Sequence, residues 1–146
     1  MTIYLFDFDD TITRLPYEDS LLYMMKEESL DPTLGFRPIK RTKKDYDNAV
    51  KRNDGPIFLL SNRVEPLKNE LQNILKIFGY KFDDYYLIDG EDRHKGNRIK
   101  KILKKYPGCT SIKYWEDKDK WIDAVTETME EYPDIKLEVI KTILTK

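Results

Sequence analysis

The chain is nearly devoid of cysteine, of long apolar runs and of net charge, and each shortage closes off a class of protein. Cys109 is the only cysteine in 146 residues. No internal disulfide can form, and nothing calls for an oxidising compartment. No apolar run approaches the roughly 18 residues of a transmembrane helix. No apolar leader precedes the first strand-like run, so the expected location is cytoplasmic, or a comparable reducing interior, with no membrane partner. Twenty-six basic residues meet 27 acidic ones, for a formal charge of −1. That balance removes any global pull toward nucleic acid or anionic membrane but leaves room for a local basic patch. His94 is the single histidine and reads as a loop residue, not a ligand. What remains is a charge-rich chain, long enough for one domain, 1–146, with a real core.

The stretch that organises it is Ile3-Tyr4-Leu5-Phe6-Asp7-Phe8-Asp9-Asp10-Thr11-Ile12-Thr13. Four apolar residues have the length and character of a buried strand, and they run straight into three carboxylates and two hydroxyls. Asp7 falls where the strand ends. In an open α/β sheet, ligands bind just beyond the carboxyl ends of the strands. Carboxylates crowded there repel one another unless a cation sits among them, and hard oxygen donors favour Mg²⁺. The alternative is a strand followed by a solvated acidic turn.

The remaining chain alternates. Pro16 to Glu28 reads as a helix, with Tyr17, Leu21, Met24 and Met25 at helical spacing. Residues 36–51 are polar and basic, and Tyr46, Ala49 and Val50 suggest a short helix at their end. Asn53-Asp54-Gly55-Pro56 is a turn signal. A strand over 57–60 ends on Ser61-Asn62-Arg63. A helix opens at Pro66, buries Leu67, Leu71, Ile74, Leu75 and Phe78 on one face, and stops at Gly79. A strand over 85–88 follows, then a helix marked by Ile99, Ile102 and Leu103 and closed by Pro107-Gly108. The strand from Ser111 to Trp115 ends on Glu116-Asp117. A helix over 120–132 and a last strand over 135–143 complete the pattern. Strands alternating with helices imply an α/β fold with a mostly parallel central sheet covered on both faces. Residues 14–54 stand out as an insert between the first two strands. At roughly 40 residues it is too short for an independent domain and reads as a small flap.

Four strands thus end on chemically able residues: Asp7 and Asp9, Ser61, Asp89, and Glu116-Asp117, with Lys95 before the following helix. In this order the set resembles the haloacid dehalogenase (HAD) superfamily of phosphotransferases. Phe6-Asp7-Phe8-Asp9-Asp10-Thr11-Ile12 resembles its first motif, Leu59-Leu60-Ser61-Asn62-Arg63 the second, Lys95 the third and Tyr114-Trp115-Glu116-Asp117 the fourth. The resemblance spans residues 3 to about 125. It implies a three-layer, Rossmann-like fold with no large cap.

The same resemblance implies roles. Asp7 would be the nucleophile that forms an aspartyl-phosphate, and Asp9 the general acid and then base. Mg²⁺ would be held by the Asp7 carboxylate, the Asp9 backbone carbonyl and Asp117. Glu116 would support the metal through a water or orient Lys95. Ser61 would hydrogen-bond a phosphoryl oxygen and Lys95 would neutralise charge there. Thr11 would fix the turn. Asn62 and Arg63 would contact substrate. Each position has a plainer reading: Ser61 as a turn cap, another base of the segment 93–101 in place of Lys95, and Glu116-Asp117 as a solvated first helical turn. Trp115 and Trp121 read as core.

Phe82-Asp83-Asp84, then Lys95 with Arg98-Ile99, then Ile112 to Trp115 and Glu116-Asp117-Lys118 resemble a capless branch, the Swiss-army-knife RNA-repair-like domains, and more distantly the phosphatase half of polynucleotide kinase/phosphatases. Three positions depart from it: Asp10 where glycine or asparagine is usual, Ser61 for threonine, and Lys118 for an arginine after the paired acids. The implied function is a Mg²⁺-dependent phosphatase for RNA or DNA ends or for a nucleotide. The basic segment 37–52 is a candidate contact for a phosphate backbone. A phosphatase for a small phosphorylated metabolite and a non-catalytic HAD-fold binding domain are the alternatives.

Overall fold

Strand β1 (Thr2–Phe6) lies at the centre of a five-stranded sheet whose strands run across it in the order Asp84–Ile88, Ile57–Val64, Thr2–Phe6, Ser111–Glu116, Lys136–Lys141. The computed structural model describes residues 1–14 and 36–142. The other strands of the sheet are β4 (Ile57–Val64), β5 (Asp84–Ile88), β6 (Ser111–Glu116) and β7 (Lys136–Lys141), and every pairing in it is parallel. The short strands β2 (Thr13–Arg14) and β3 (Arg37–Pro38) form a separate antiparallel ribbon. Four α-helices are described, α1 (Lys40–Arg52), α2 (Lys68–Ile77), α3 (Lys95–Lys105) and α4 (Asp119–Met129), and a 3₁₀ turn, Glu65–Leu67, leads into α2 at the place where the sequence predicts a helix from Pro66.

Side-chain alternation along β1 builds the two cores. Tyr4 and Phe6 point to one face, where they meet Tyr46 and Ala49 of α1 and Leu71, Ile74 and Leu75 of α2. Ile3 and Leu5 point to the other, against Ile99 and Ile102 of α3 and Val125 and Met129 of α4. The fold is therefore a three-layer, Rossmann-like α/β arrangement, as the alternating pattern predicts. Phe6 stacks on Trp115 with ring centroids 4.1 Å apart, which locks β1 to β6 one residue before Asp7. Gly96 is required where α3 meets α4, because a Cβ there would lie 1.9 Å from the Thr128 hydroxyl.

Several boundaries differ from the sequence reading, each for a local reason. β4 runs on to Val64, past the expected end at Leu60, with its pairing to β5 shifting register between Leu60 and Val64. Ser61, Asn62 and Arg63 occupy that irregular stretch, where a bulge re-aims side chains. α1 is a full 13-residue helix, longer than the short segment expected. Its buried stripe is Thr42, Tyr46 and Ala49, whereas Val50 is exposed. α4 stops at Met129 because the N–H groups of Glu130, Glu131 and Tyr132 bond three residues back, tightening the chain before Pro133. The helix expected over 16–28 and the end of the last strand at Ile143 lie outside the described residues.

α1 packs onto the sheet instead of standing over its edge. Among the described residues no large cap covers the carboxyl ends of the strands.

Candidate active site

Four elements, β1, β4, α3 and β6, deliver charge to one end of the sheet. The Asp7 N–H bonds to the Trp115 carbonyl at 3.0 Å, carrying the β1–β6 ladder one step beyond the strand. Glu116 closes β6 and Asp117 follows it. Lys95 opens α3 after the β5 loop. The Lys95 ammonium lies 2.8 Å from Asp7 Oδ1 and 2.5 Å from Glu116 Oε1, and all three side chains are almost fully buried. Tyr114 sits two residues before Glu116, on the same face of β6, and its hydroxyl donates to Glu116 Oε1 at 2.6 Å. Glu116 Oε2 accepts the Asp117 N–H at 3.0 Å. Glu116 is thus satisfied by three donors.

Asp117 is not. Its Oδ1 is buried with no hydrogen-bond partner. Carboxylate oxygens of Asp7, Glu116 and Asp117 lie within 4.8 Å of one another. Three carboxylates around one ammonium leave an excess of negative charge in a dry site. Burial, with the neighbouring Glu116 charge, pushes Asp7 up to about 7. Burial and the Asp7 charge push Asp117 up to about 9. Burial also acts to raise Glu116, but the Lys95 ammonium and its hydrogen bonds prevail and hold it down at about 2. Lys95 is raised, because its two carboxylate partners outweigh the cost of burial. A divalent cation bound by oxygen would balance this excess and give the Asp117 oxygen a partner, so the residues present fit one.

Asp9 is in a different setting. Arg63 reaches both of its oxygens, Nε at 3.0 Å from Oδ2 and Nη2 at 2.8 Å from Oδ1. This two-pronged pair holds the Asp9 carboxylate away from the Asp7–Asp117 group, so Asp9 offers such a cation its backbone at most. Arg63 is 1% exposed, and its guanidinium also lies 5.9 Å from the centre of the Phe8 ring. Between the two settings is a cleft of about 40 Å³ lined by Asp7, Asp9, Asn62, Arg63, Lys95, Glu116, Asp117, Lys118 and Trp121.

Two expected residues do not line this cleft. Ser61 is fully buried, and its Oγ accepts the Arg63 N–H at 3.0 Å, which is the local turn-capping arrangement. Thr11 is also fully buried and donates to Asp7 Oδ2 at 3.1 Å, so it holds the candidate nucleophile and does not face the cleft. Asp10 has φ 59°, a left-handed conformation that explains why glycine or asparagine suits the position.

Sequence reasoning gave three contributors no role of their own at the site. Tyr114 was legible only through its i, i+2 relation to Glu116. Arg98 lies one helical turn beyond Lys95 and donates to the carbonyls of Ser61 at 2.5 Å and Tyr86 at 3.0 Å. Trp121, expected in the core, is half-buried at the cleft, because α4 begins at Asp119 and its first turn faces the strand ends. Trp115 is core, as expected.

No protein-family model matches this sequence, and neither does any curated protein. Among solved structures, a chain in the "Structure of Pnkp1/Rnl/Hen1 complex" superposes with a TM-score of 0.61 at 15% identity. The match covers 99% of this chain and 47% of that one, so this chain spans about half its length. The likeness is one of fold: an α/β arrangement with helices on both faces of a parallel sheet.

Proposed function

We propose that the chain is a Mg²⁺-dependent phosphatase of HAD type, working through an aspartyl-phosphate on Asp7. The observation that carries this reading is the contrast at the cleft between a buried, incompletely balanced Asp7–Lys95–Glu116–Asp117 group and the Asp9–Arg63 pair beside it. In this reading Asp7 attacks phosphorus and the bond to the leaving oxygen breaks. Asp9 gives that oxygen a proton, then takes one from the water that attacks the phosphoryl-enzyme, releasing inorganic phosphate and restoring Asp7. Asp9 must part from Arg63 to carry a proton, and an arriving phosphoryl group competes for the same guanidinium. Lys95 neutralises charge on the transferring group, Thr11 fixes the Asp7 carboxylate, and Glu116 orients Lys95. Asp7 and Asp117 would hold Mg²⁺, with Glu116 beside them. The ion would offset repulsion between the carboxylate and the phosphate.

The preferred substrate class is an RNA or DNA end. α1 carries six basic residues against two acidic ones, whereas the chain as a whole has a charge of −1. Lys40, Lys43, Lys44 and Lys51 line a groove of about 470 Å³ with Phe78. The helix starts beside the cleft-side loop, where the Ile39 N–H bonds to the Ile12 carbonyl at 2.8 Å. A phosphate backbone running along such a stripe would gain salt-dependent affinity. The likeness in fold to a chain of a Pnkp1/Rnl/Hen1 assembly is in keeping with it.

Turnover of an aryl phosphate with and without Mg²⁺, followed by rates on 3′-phosphorylated, 5′-phosphorylated and 2′,3′-cyclic oligonucleotides against mononucleotides, tests both levels. Mg²⁺-dependent turnover with faster, salt-sensitive reaction of oligonucleotides is expected. Equal rates on mononucleotides would favour a metabolite phosphatase. No turnover on any of them, with Mg²⁺ bound, would favour a binding domain.

A further inference from the structure

Arg98 is a buried cation without a carboxylate partner. It is 7% exposed, and no acidic group among the described residues lies within ion-pair distance of it. Its Nη1 and Nη2 groups donate to the carbonyls of Ser61 and Tyr86 on β4 and β5, to the Arg93 carbonyl at 3.4 Å in the loop beyond β5, and to the side-chain Oδ1 of Asn62, while Nε is buried with no partner. A guanidinium has five N–H donors and no acceptor. It therefore fixes more than the position of Asn62. It fixes which way the amide faces, because only Oδ1 can meet it. The NH₂ group is forced to the opposite side, and there Asn62 Nδ2 is buried with no partner. Asn62 lines the cleft with Asp7, Asp9 and Lys95. A buried donor left unpaired at such a place can give a hydrogen bond to an acceptor oxygen that enters the cleft.

We infer that Arg98 is a positioning residue that sets the Asn62 amide so that its NH₂ donates to a phosphoryl oxygen of the substrate. The inference rests on the phosphatase reading and adds to it a paired device on the β4 side of the cleft. Lys95 and Arg98 lie on one face of α3, three residues apart, so a single helix serves both sides of the site: Lys95 reaches Asp7 and Glu116, and Arg98 reaches Asn62. The extension of β4 through Ser61 and Asn62 puts those two oxygens within reach of one guanidinium. A lysine at position 98 keeps the charge but lacks the planar fork that holds several oxygens at once.

The test uses inorganic phosphate as the probe, in the presence of Mg²⁺, on the full chain. Asn62→Ala is expected to weaken phosphate inhibition of aryl phosphate turnover roughly tenfold, the scale of one hydrogen bond to a charged acceptor. Arg98→Lys is expected to do the same, and the double variant no more than either alone. Losses that multiply in the double variant would overturn the inference, since the two residues would then act independently. A second measurement needs no variant at position 98. In the wild-type protein the side-chain NH₂ resonances of Asn62, assigned by their loss in Asn62→Ala, should shift on titration with phosphate. Resonances that stay in place at saturating phosphate, in a protein that turns over substrate, would remove the inference and leave the phosphatase reading intact. Absence of both turnover and phosphate binding would remove the two together.

Discussion

Asp7 and Asp9 are separated by a single residue, yet their surroundings are opposite. Asp7 shares one ammonium with Glu116, has Asp117 close by, and is pushed up to about 7 by burial. Asp9 is gripped through both oxygens by the Arg63 guanidinium. The difference follows from where each lies on the chain. Asp7 is still tied to β6 by its N–H, so it shares its surroundings with the end of that strand, where Glu116 and Asp117 stand. Asp9 is past the strand, at the start of a turn, and meets the bulged end of β4 on the other side. Excess negative charge suits a place that would receive a divalent cation, and in the proposed reading that ion offsets the repulsion between the carboxylates and a phosphoryl group. A closed ion pair suits a group that must change partners during the reaction.

The comparison breaks most completely at Asp7. Asp7→Asn should lower kcat on an aryl phosphate by roughly 10⁴-fold or more, as loss of a nucleophile does, with the circular dichroism spectrum unchanged. Undiminished turnover would remove the nucleophile assignment. Asp9→Asn should cost roughly 10²- to 10⁴-fold, but unevenly. Alkyl phosphates, whose leaving oxygen needs a proton, should suffer far more than p-nitrophenyl phosphate. A uniform loss across leaving groups would mean that Asp9 does not move the proton. Asp117→Asn should raise the half-saturating Mg²⁺ concentration roughly 10- to 100-fold. Glu116→Gln should act mainly on kcat, because Glu116 is occupied by Lys95, Tyr114 and the Asp117 N–H. An effect of Glu116→Gln on Mg²⁺ affinity as large as that of Asp117→Asn would reverse the assignment of the direct ligand.

The smallest expected effect is on stability. Aspartates titrate near 4 in the unfolded chain, but Asp7 is raised to about 7 and Asp117 to about 9 in the fold. Between those limits the folded state holds more protons than the unfolded one, so stability falls as pH rises. Glu116, held at about 2, works the other way: its contribution is complete above 4.5 and is lost as pH falls toward 2. In the window from pH 5.5 to 8.5 only the two aspartates count. With chelator present, Tm should drop over that window, by roughly 2–4 °C for each kcal/mol lost in a domain of about this size. Mg²⁺ should close most of the gap. A Tm that climbs over the same window in chelator would contradict the charge balance described here.

Much of this was legible in the sequence because strand ends and periodicity are local signals. The run Ile3–Phe6 declares a buried strand, and Asp7 at its end declares the sheet edge. Lys95 and Glu116-Asp117 follow from their places after β5 and on β6. The partnerships were not legible. That Arg63 would grip Asp9, and that Ser61 would turn inward to cap the Arg63 N–H, depends on a register shift in β4 that leaves no mark in hydrophobic patterning. Nor does spacing reveal that Glu116 is satisfied and Asp117 is not, since that turns on Tyr114 and on one backbone N–H. Trp121 was misplaced for a similar reason. An aromatic at helical spacing looks like core whether its first turn faces the sheet or the cleft.

The central claim is a covalent bond from Asp7 to phosphorus, and trapping it is the most direct test. Substrate labelled with ³²P would be mixed with excess protein and Mg²⁺, then quenched in acid within the first turnover. Label on the protein that hydroxylamine releases, that maps to Asp7 and that is absent from Asp7→Asn is the predicted result. Full turnover with no label on the protein at any quench time, or label that persists in Asp7→Asn, would contradict it.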